Sequence, residues 1–334
     1  MRHYVSRHAV GAAPATILTT RVQTERRDEV SGKDRGMSKG KTYTLAAVLL
    51  VAIVAMVAFA VGCGSSSSSS SSSPSASSAA VTGTPMEIAT KVLGHAPTGL
   101  AATIVNRGSV IVANDANYPP QSSVDQATGK LVGFDVDVAN QMGKLLGLTV
   151  DFKNPAWETI PAGLQQGKYD VSIGSMTITP ERQKVLAFTD PYYYTSGQVF
   201  VKKGGTQITG VKDLYGKTVG VGAATTYYDY LKKYPQIKVK TYTTDADAFP
   251  DLANGNLDFV MTAGPTGQQA ILSGQPFEFS GKPLYYEDLA FALKQGEADW
   301  LSLLNYSVQT MHKDGSLTAM SKKWYNGMDL TVKQ

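Results

Sequence analysis

From residue 109 onward, short apolar runs of strand length alternate with segments whose apolar positions recur at helical spacing. SVIVA (109–113) reads as a buried strand that runs into the polar loop Asn114-Asp115-Ala116-Asn117-Tyr118-Pro119-Pro120. VDVANQMGKLLG (136–147) reads as an amphipathic helix closed by Gly147, and 148–152 as the next strand. WETIPAGLQQG (157–167) predicts a helix ending on glycine, 169–173 a strand, and 197–201 another strand beyond the turn at Thr189-Asp190-Pro191. The pattern then restarts: strand 218–221, a helix capped at Thr225-Thr226, strand 237–241, helix 245–253 and strand 257–261. Residues 86–108 read as a helical lead-in broken by Gly94 and Pro97, and 300–326 as two helices interrupted at Asp314-Gly315.

Strand–helix–strand alternation with short connections argues for an α/β fold with largely parallel strands. An internal repeat points to two lobes. LQQGKYDVSI (164–173) matches LANGNLDFVM (252–261) position by position, each a helix ending on glycine before an aspartate that starts a strand. The strands 109–113 and 218–221 likewise each run into a polar loop preceding a helix. Ligands of open α/β sheets sit beyond the carboxyl ends of the strands, so two facing lobes place the site in the cleft between them.

One stretch carries the candidate chemistry, VSIGSMTITPER (171–182). An apolar strand gives way to Ser175, Thr177 and Thr179, then turns at Pro180 into a helix bearing Arg182. Hydroxyls, a helix start and a guanidinium suit a small carboxylate, which arginine's planar fork grips with two parallel bonds. The same residues would also serve as a plain helix cap with a solvated arginine.

The N-terminal region has a different character. Residues 45–62, LAAVLLVAIVAMVAFAVG, form an uncharged apolar run behind Lys39 and Lys41, the layout of a secretory signal. Its end, Ala60-Val61-Gly62-Cys63, resembles a bacterial lipobox, with alanine where leucine is usual, and implies a lipidated Cys63. An uncleaved membrane anchor is the competing reading. Met37 makes an ordinary signal start, so 1–36 is expected to be an extension and 37–62 the signal peptide. The serine tract within 63–84 reads as a flexible tether. Both readings place the remainder outside the cytoplasmic membrane.

The formal net charge of +4 belongs to this leader. Residues 1–62 hold nine Lys/Arg and four Asp/Glu, leaving 22 against 23 for the rest. No basic patch argues for nucleic acid. With Cys63 as the one cysteine, no intramolecular disulfide forms, and four scattered histidines show no metal-ligand spacing. No cofactor or metal is expected.

DANYPP (115–120), GKLVGFDVDVANQMGKLLGL (129–148), PAW (155–157), QQGKYDVSIGSMTITPERQKVLAFTDPYY (165–193), KDLYGKTVGV (212–221), LANGNLD (252–258) and KDGSLTAMSKKWY (313–325) resemble, in this order, the bacterial extracellular solute-binding proteins of polar amino-acid ABC importers. The resemblance covers about residues 105–330. It implies a two-lobed, Venus-flytrap fold of mixed sheets flanked by helices and joined by two crossover strands. Lobe one would be 85–196 with 287–334, and lobe two 197–286.

Carried over residue by residue, the resemblance makes Arg182 the holder of the ligand's α-carboxylate beside Ser175 and Thr177, with Gly174 and Met176 on the same strand. Tyr118 and Trp157 would sandwich the ligand side chain, and Asp115 would contact a polar ligand group. On lobe two Thr225 and Thr226 would donate to the carboxylate, with Tyr227 following. The acid expected for the α-ammonium falls on Ala263. A buried ammonium without a paired carboxylate costs several kcal/mol. Either another acid substitutes, with Asp115 and Glu158 as candidates, or the ligand lacks a free α-amino group and standard amino acids bind weakly.

The function implied is that of a non-catalytic, monomeric receptor. It would close on a small carboxylate, an amino acid or analogue, and present it to an ABC permease. The alternatives are an enzyme like the cyclohexadienyl dehydratases on the same scaffold, with Glu158 or Asp115 as its acid or base, and an extracellular sensor, which needs a separate signalling partner because none follows Gln334.

Overall fold

The computed structural model describes residues 82–333, so the expected signal peptide, lipidated Cys63 and most of the serine tether lie outside the described residues. Among the described residues no helix is long and apolar enough to cross a membrane.

Twelve strands follow in chain order: β1 Ser109–Ala113, β2 Asn117–Tyr118, β3 Ser122–Val124, β4 Leu131–Val132, β5 Thr149–Lys153, β6 Val171–Thr177, β7 Leu186–Phe188, β8 Tyr193–Lys202, β9 Thr218–Gly222, β10 Lys238–Tyr242, β11 Phe259–Ala263 and β12 Phe277–Lys294. The helices are α1 Pro85–Leu93, α2 Gly99–Arg107, α3 Phe134–Leu146, α4 Ile160–Gln165, α5 Pro180–Gln183, α6 Thr226–Leu231, α7 Phe249–Ala253, α8 Gly264–Leu272, α9 Ala298–Lys313 and α10 Ser316–Trp324.

The strand order β10-β9-β11-β8-β12-β6-β1-β5 is two similar sheets joined at the long strands β8 and β12. In the first lobe β5, β1 and β6 run parallel and β12 is antiparallel beside β6. In the second, β10, β9 and β11 run parallel and β8 is antiparallel beside β11. The internal repeat is therefore structural: β1 corresponds to β9, and β6 to β11. β8 and β12 pair with each other along both lobes, and the register shifts between Ser280 and Tyr285 where the chain passes from one to the other. β2, β3 and β4 form a small separate antiparallel sheet.

Each lobe has its own core. Phe134, Tyr192, Tyr193, Phe291, Trp300 and Tyr325 centre the first. Val199, Val219, Val221, Leu231, Tyr227 and Met261 centre the second, with Phe200, Phe249 and Phe277 packed as a separate cluster on other residues of the same sheet.

The first core also contains a carboxylate. At the start of α3, Gly133 has φ +139, and a Cβ there would lie 2.1 Å from the Gln121 carbonyl oxygen, so only glycine lets the chain enter the helix here. The following turn carries Asp135 into full burial. Tyr192 donates to one of its oxygens at 2.6 Å and Ser175 to the other at 2.7 Å. Burial pushes the Asp135 carboxyl up to about 7 against these two bonds. The native state therefore holds a proton that the unfolded chain releases near pH 4, and this contribution to stability is lost as pH rises through about 7. The thermal midpoint should fall between pH 5 and pH 8, by roughly the temperature equivalent of a few kcal/mol. Asp135→Asn should flatten that slope in scanning calorimetry; an unchanged slope would place the titration elsewhere.

Candidate functional site

The carboxyl ends of β1 and β6 face those of β9 and β10 across a cavity of about 530 Å³, part of it open to solvent. The first lobe contributes Asp115, Asn117, Tyr118, Trp157, Gly174, Ser175, Thr177 and Arg182 to its wall, and the second Gly222, Ala223, Thr225, Thr226, Tyr227, Thr243, Thr244 and Asp245. Ten of the twelve expected ligand residues are thus brought together. The other two are not in the wall. Met176 points to the opposite face of β6, buried with Ile160, Leu164 and Leu186, as the strand's alternation requires. Ala263 ends β11 fully buried in the second core. Glu158, expected as a substitute acid, is exposed and outside the wall, whereas Asp115 is within it.

Arg182 reaches the cavity because Thr179 caps α5, its hydroxyl accepting from the Arg182 N–H at 3.1 Å. The guanidinium donates through Nη1 to the Thr177 carbonyl at 2.9 Å and through Nη2 to the Ala224 carbonyl of the facing lobe at 3.5 Å. It lies 5.3 Å from the centre of the Trp157 ring, a cation–π contact that fixes its plane. Burial lowers its pKa from the ordinary arginine value, with Glu287 opposing the shift. A guanidinium has five N–H donors, so with two engaged by carbonyls a fork remains for a carboxylate.

The hydroxyls around it are already committed. Ser175 donates to Asp135 and accepts from Tyr193 at 2.7 Å. Thr225 accepts from the Tyr228 N–H and donates to the Gly222 carbonyl, capping α6. Thr177 at 3.0 Å and Thr226, from opposite lobes, both donate to one oxygen of Glu287 on β12. Glu287 is buried, and its other oxygen has no hydrogen-bond partner. Burial raises its carboxyl pKa above the ordinary range.

Further contacts close the cleft at its edges. Trp157 Nε1 donates to the Ala224 carbonyl at 3.1 Å, and the Tyr118 and Tyr227 hydroxyls meet at 3.2 Å.

Asn117, Gly222, Ala223, Thr243, Thr244 and Asp245 were not foreseen, nor was Glu287 behind the wall. The available signal was the repeat itself. The residues after β10 occupy the place beside β9 that those after β5 occupy beside β1, which puts Asp245 at a strand end. Asp245 is 3% exposed. Its oxygens accept from the Gly222 N–H at 2.7 Å and the Thr262 hydroxyl at 2.8 Å.

Of the three non-glycine residues with positive φ among the described residues, two border this cleft: Ser175 at φ 58 and Ala224 at φ 57. Such strain persists where surrounding bonds over-determine it. For Ser175 the Tyr192 hydroxyl accepts from its N–H at 3.0 Å, and for Ala224 the Trp157 and Arg182 bonds hold its carbonyl.

A two-lobed α/β protein with a half-buried arginine in an interlobe cavity has the layout of a small-molecule binding protein. Residues 110–327 match the family of bacterial extracellular solute-binding proteins, family 3, and the chain belongs to that family. The L-cystine-binding protein TcyJ of Escherichia coli (strain K12) is 34% identical over 72% of this chain and 91% of its own length. The structure of an ancestral arginine-binding protein bound to arginine superposes with TM-score 0.63 at 35% identity, covering 66% of this chain and 99% of that one. The ancestral amino-acid-binding protein AncCDT-1, a precursor of cyclohexadienyl dehydratase, superposes with TM-score 0.62 at 33% identity, covering 67% and 98%. These relatives are amino-acid-binding proteins, and the expectation of an extracellular solute-binding protein with a two-lobed fold stands.

Ala224→Gly keeps the backbone conformation while removing the strained Cβ, and should raise stability by about 1 kcal/mol net of glycine's extra unfolded-state entropy. Urea denaturation measures this; a loss of stability would show that the φ of Ala224 carries no strain.

Proposed function

We propose that this chain is the extracytoplasmic substrate-binding protein of an ABC importer, taking a small carboxylate-bearing ligand, an amino acid or amino-acid-like compound, into the interlobe cavity. The observation that carries the reading is Arg182, a guanidinium enclosed at the cavity wall and oriented by Thr177 and Trp157, with donors left for a carboxylate. The names of the relatives, binders of cystine and arginine, support the ligand class. Residues 85–196 and 287–334 make one lobe and 197–286 the other, so the ligand touches both. Contacts from the second lobe, at Gly222–Tyr227 and Thr243–Asp245, favour the closed form, which a membrane permease recognises. The mature protein is a monomer held at the outer face of the cytoplasmic membrane through a lipidated Cys63.

The same scaffold offers no better support for an enzyme. Asp115 and Asp245 are the acids in the wall, and AncCDT-1 is itself described as an amino-acid-binding protein. Prephenate and arogenate should bind without turnover, if at all; measured turnover would replace the receptor reading.

Arg182→Ala should weaken binding of any carboxylate ligand by about 100-fold, the scale of a lost bidentate charge-assisted pair, and leave the thermal midpoint of the unliganded protein nearly unchanged. Calorimetry against a panel of L-amino acids measures it. Near-normal affinity in the variant would refute the arginine clamp.

A further inference from the structure

We propose that Asp245 is the residue that binds the cationic nitrogen of the ligand, so that the cavity selects α-amino acids over carboxylates lacking an amine. The inference rests on the reading above that a carboxylate-bearing ligand occupies this cavity.

Asp245 is buried in the wall, yet among the described residues no lysine, arginine or histidine lies within salt-bridge distance of it. Its two protein partners are neutral donors, one on each oxygen. A carboxylate accepts about four hydrogen bonds, so each oxygen keeps acceptor capacity. Burial without a counter-charge pushes its carboxyl up to about 6, and Glu287 and Asp115 add to the shift by repulsion. A desolvated, uncompensated charge costs several kcal/mol unless something in the cavity neutralises it. The wall carries one guanidinium, Arg182, against two carboxylates, Asp115 and Asp245. A ligand carboxylate on Arg182 deepens this excess of negative charge; a ligand that also carries an ammonium cancels its own carboxylate and brings Asp245 a counter-ion.

The chain is shaped to place this acid. A Cβ on Gly222 would lie 2.4 Å from the Asp245 carboxylate oxygen, so the absence of a side chain there admits the carboxylate to the end of β9. Thr262, which holds its second oxygen, immediately precedes Ala263. The acid missing from position 263 is thus supplied to the neighbouring position from the segment after β10. Neither Asp115 nor Glu158 is needed for that role.

Calorimetry of the wild-type protein and Asp245→Asn at pH 7.5, using L-arginine against 5-guanidinopentanoate and L-cystine against 3,3′-dithiodipropionate, tests the assignment. The wild type should prefer at least one amino acid over its des-amino counterpart by about 30-fold, and the variant should lose that preference. Affinity of the variant for the des-amino compound should stay within about threefold of wild type, which shows the fold and the Arg182 clamp intact. A variant that keeps the full amino-acid preference, or a wild type that binds both members of each pair equally, overturns the assignment while leaving the carboxylate receptor standing. If wild type binds no member of a wider panel of amino acids and carboxylates, the receptor reading falls and the assignment with it.

Discussion

Carboxylates buried without a paired cation are the constraint on which this cleft depends. Asp135, Asp245 and Glu287 are all buried, and none has a lysine, arginine or histidine within salt-bridge distance among the described residues. Each is held by neutral donors: Asp135 by Tyr192 and Ser175, Asp245 by Gly222 and Thr262, Glu287 by Thr177 and Thr226. Hydroxyl and amide bonds lower the cost of such a charge without cancelling it, which is why burial outweighs them at all three carboxyls. The geometry of the site follows. Asp135 pins Ser175 in its left-handed conformation on the cavity wall, and Glu287 gathers one threonine from each lobe.

This constraint changes what the hydroxyls can do. Ser175, Thr177, Thr225 and Thr226 were expected as donors to a ligand carboxylate, and all four line the cavity. Their protons, however, are directed at Asp135, Glu287 and the Gly222 carbonyl. A hydroxyl has one proton to give. Carboxylate recognition therefore falls mainly on Arg182, while the hydroxyls act as the frame that keeps acids in place around it. Packing does not require glycine at 174, since a side chain there would meet its neighbours only at ordinary contact distance, 3.6 Å and beyond.

What could be read from the chain was what local pattern encodes. The strand–turn–helix at 171–182 was legible because Thr179, Pro180 and Arg182 are adjacent in sequence and cap one another. The repeat revealed the correspondence of β6 with β11 because each strand begins behind the same glycine–aspartate punctuation. β12 was missed. Its polar interior, SGKPLYYED, breaks the strand pattern because that is where it leaves one lobe for the other and shifts register. Glu287 went with it. Asp245 was read as the start of a helix, which is true of its main chain, since its carbonyl accepts from Ala248. That its side chain faces a cavity depends on β10 lying beside β9, a pairing that only the repeat of β1 and β5 foreshadows.

The placement of charge on opposite lobes also bears on how closure would be driven. Arg182 stands after β6 and Asp245 after β10, so the guanidinium of the cavity and the one wall carboxylate of the second lobe lie on opposite lobes, with Asp115 on the side of Arg182. A ligand shifts a hinge equilibrium only by its difference in affinity for the two states. A simple carboxylate bound to Arg182 gains little when the second lobe arrives, because that lobe brings another negative charge. A zwitterion gains its second ion pair at that moment, in a site from which water is being excluded and where the pair is strongest. On the proposed assignment, selectivity for an amine and the driving force for closure are one interaction, and weakening Asp245 should loosen both together.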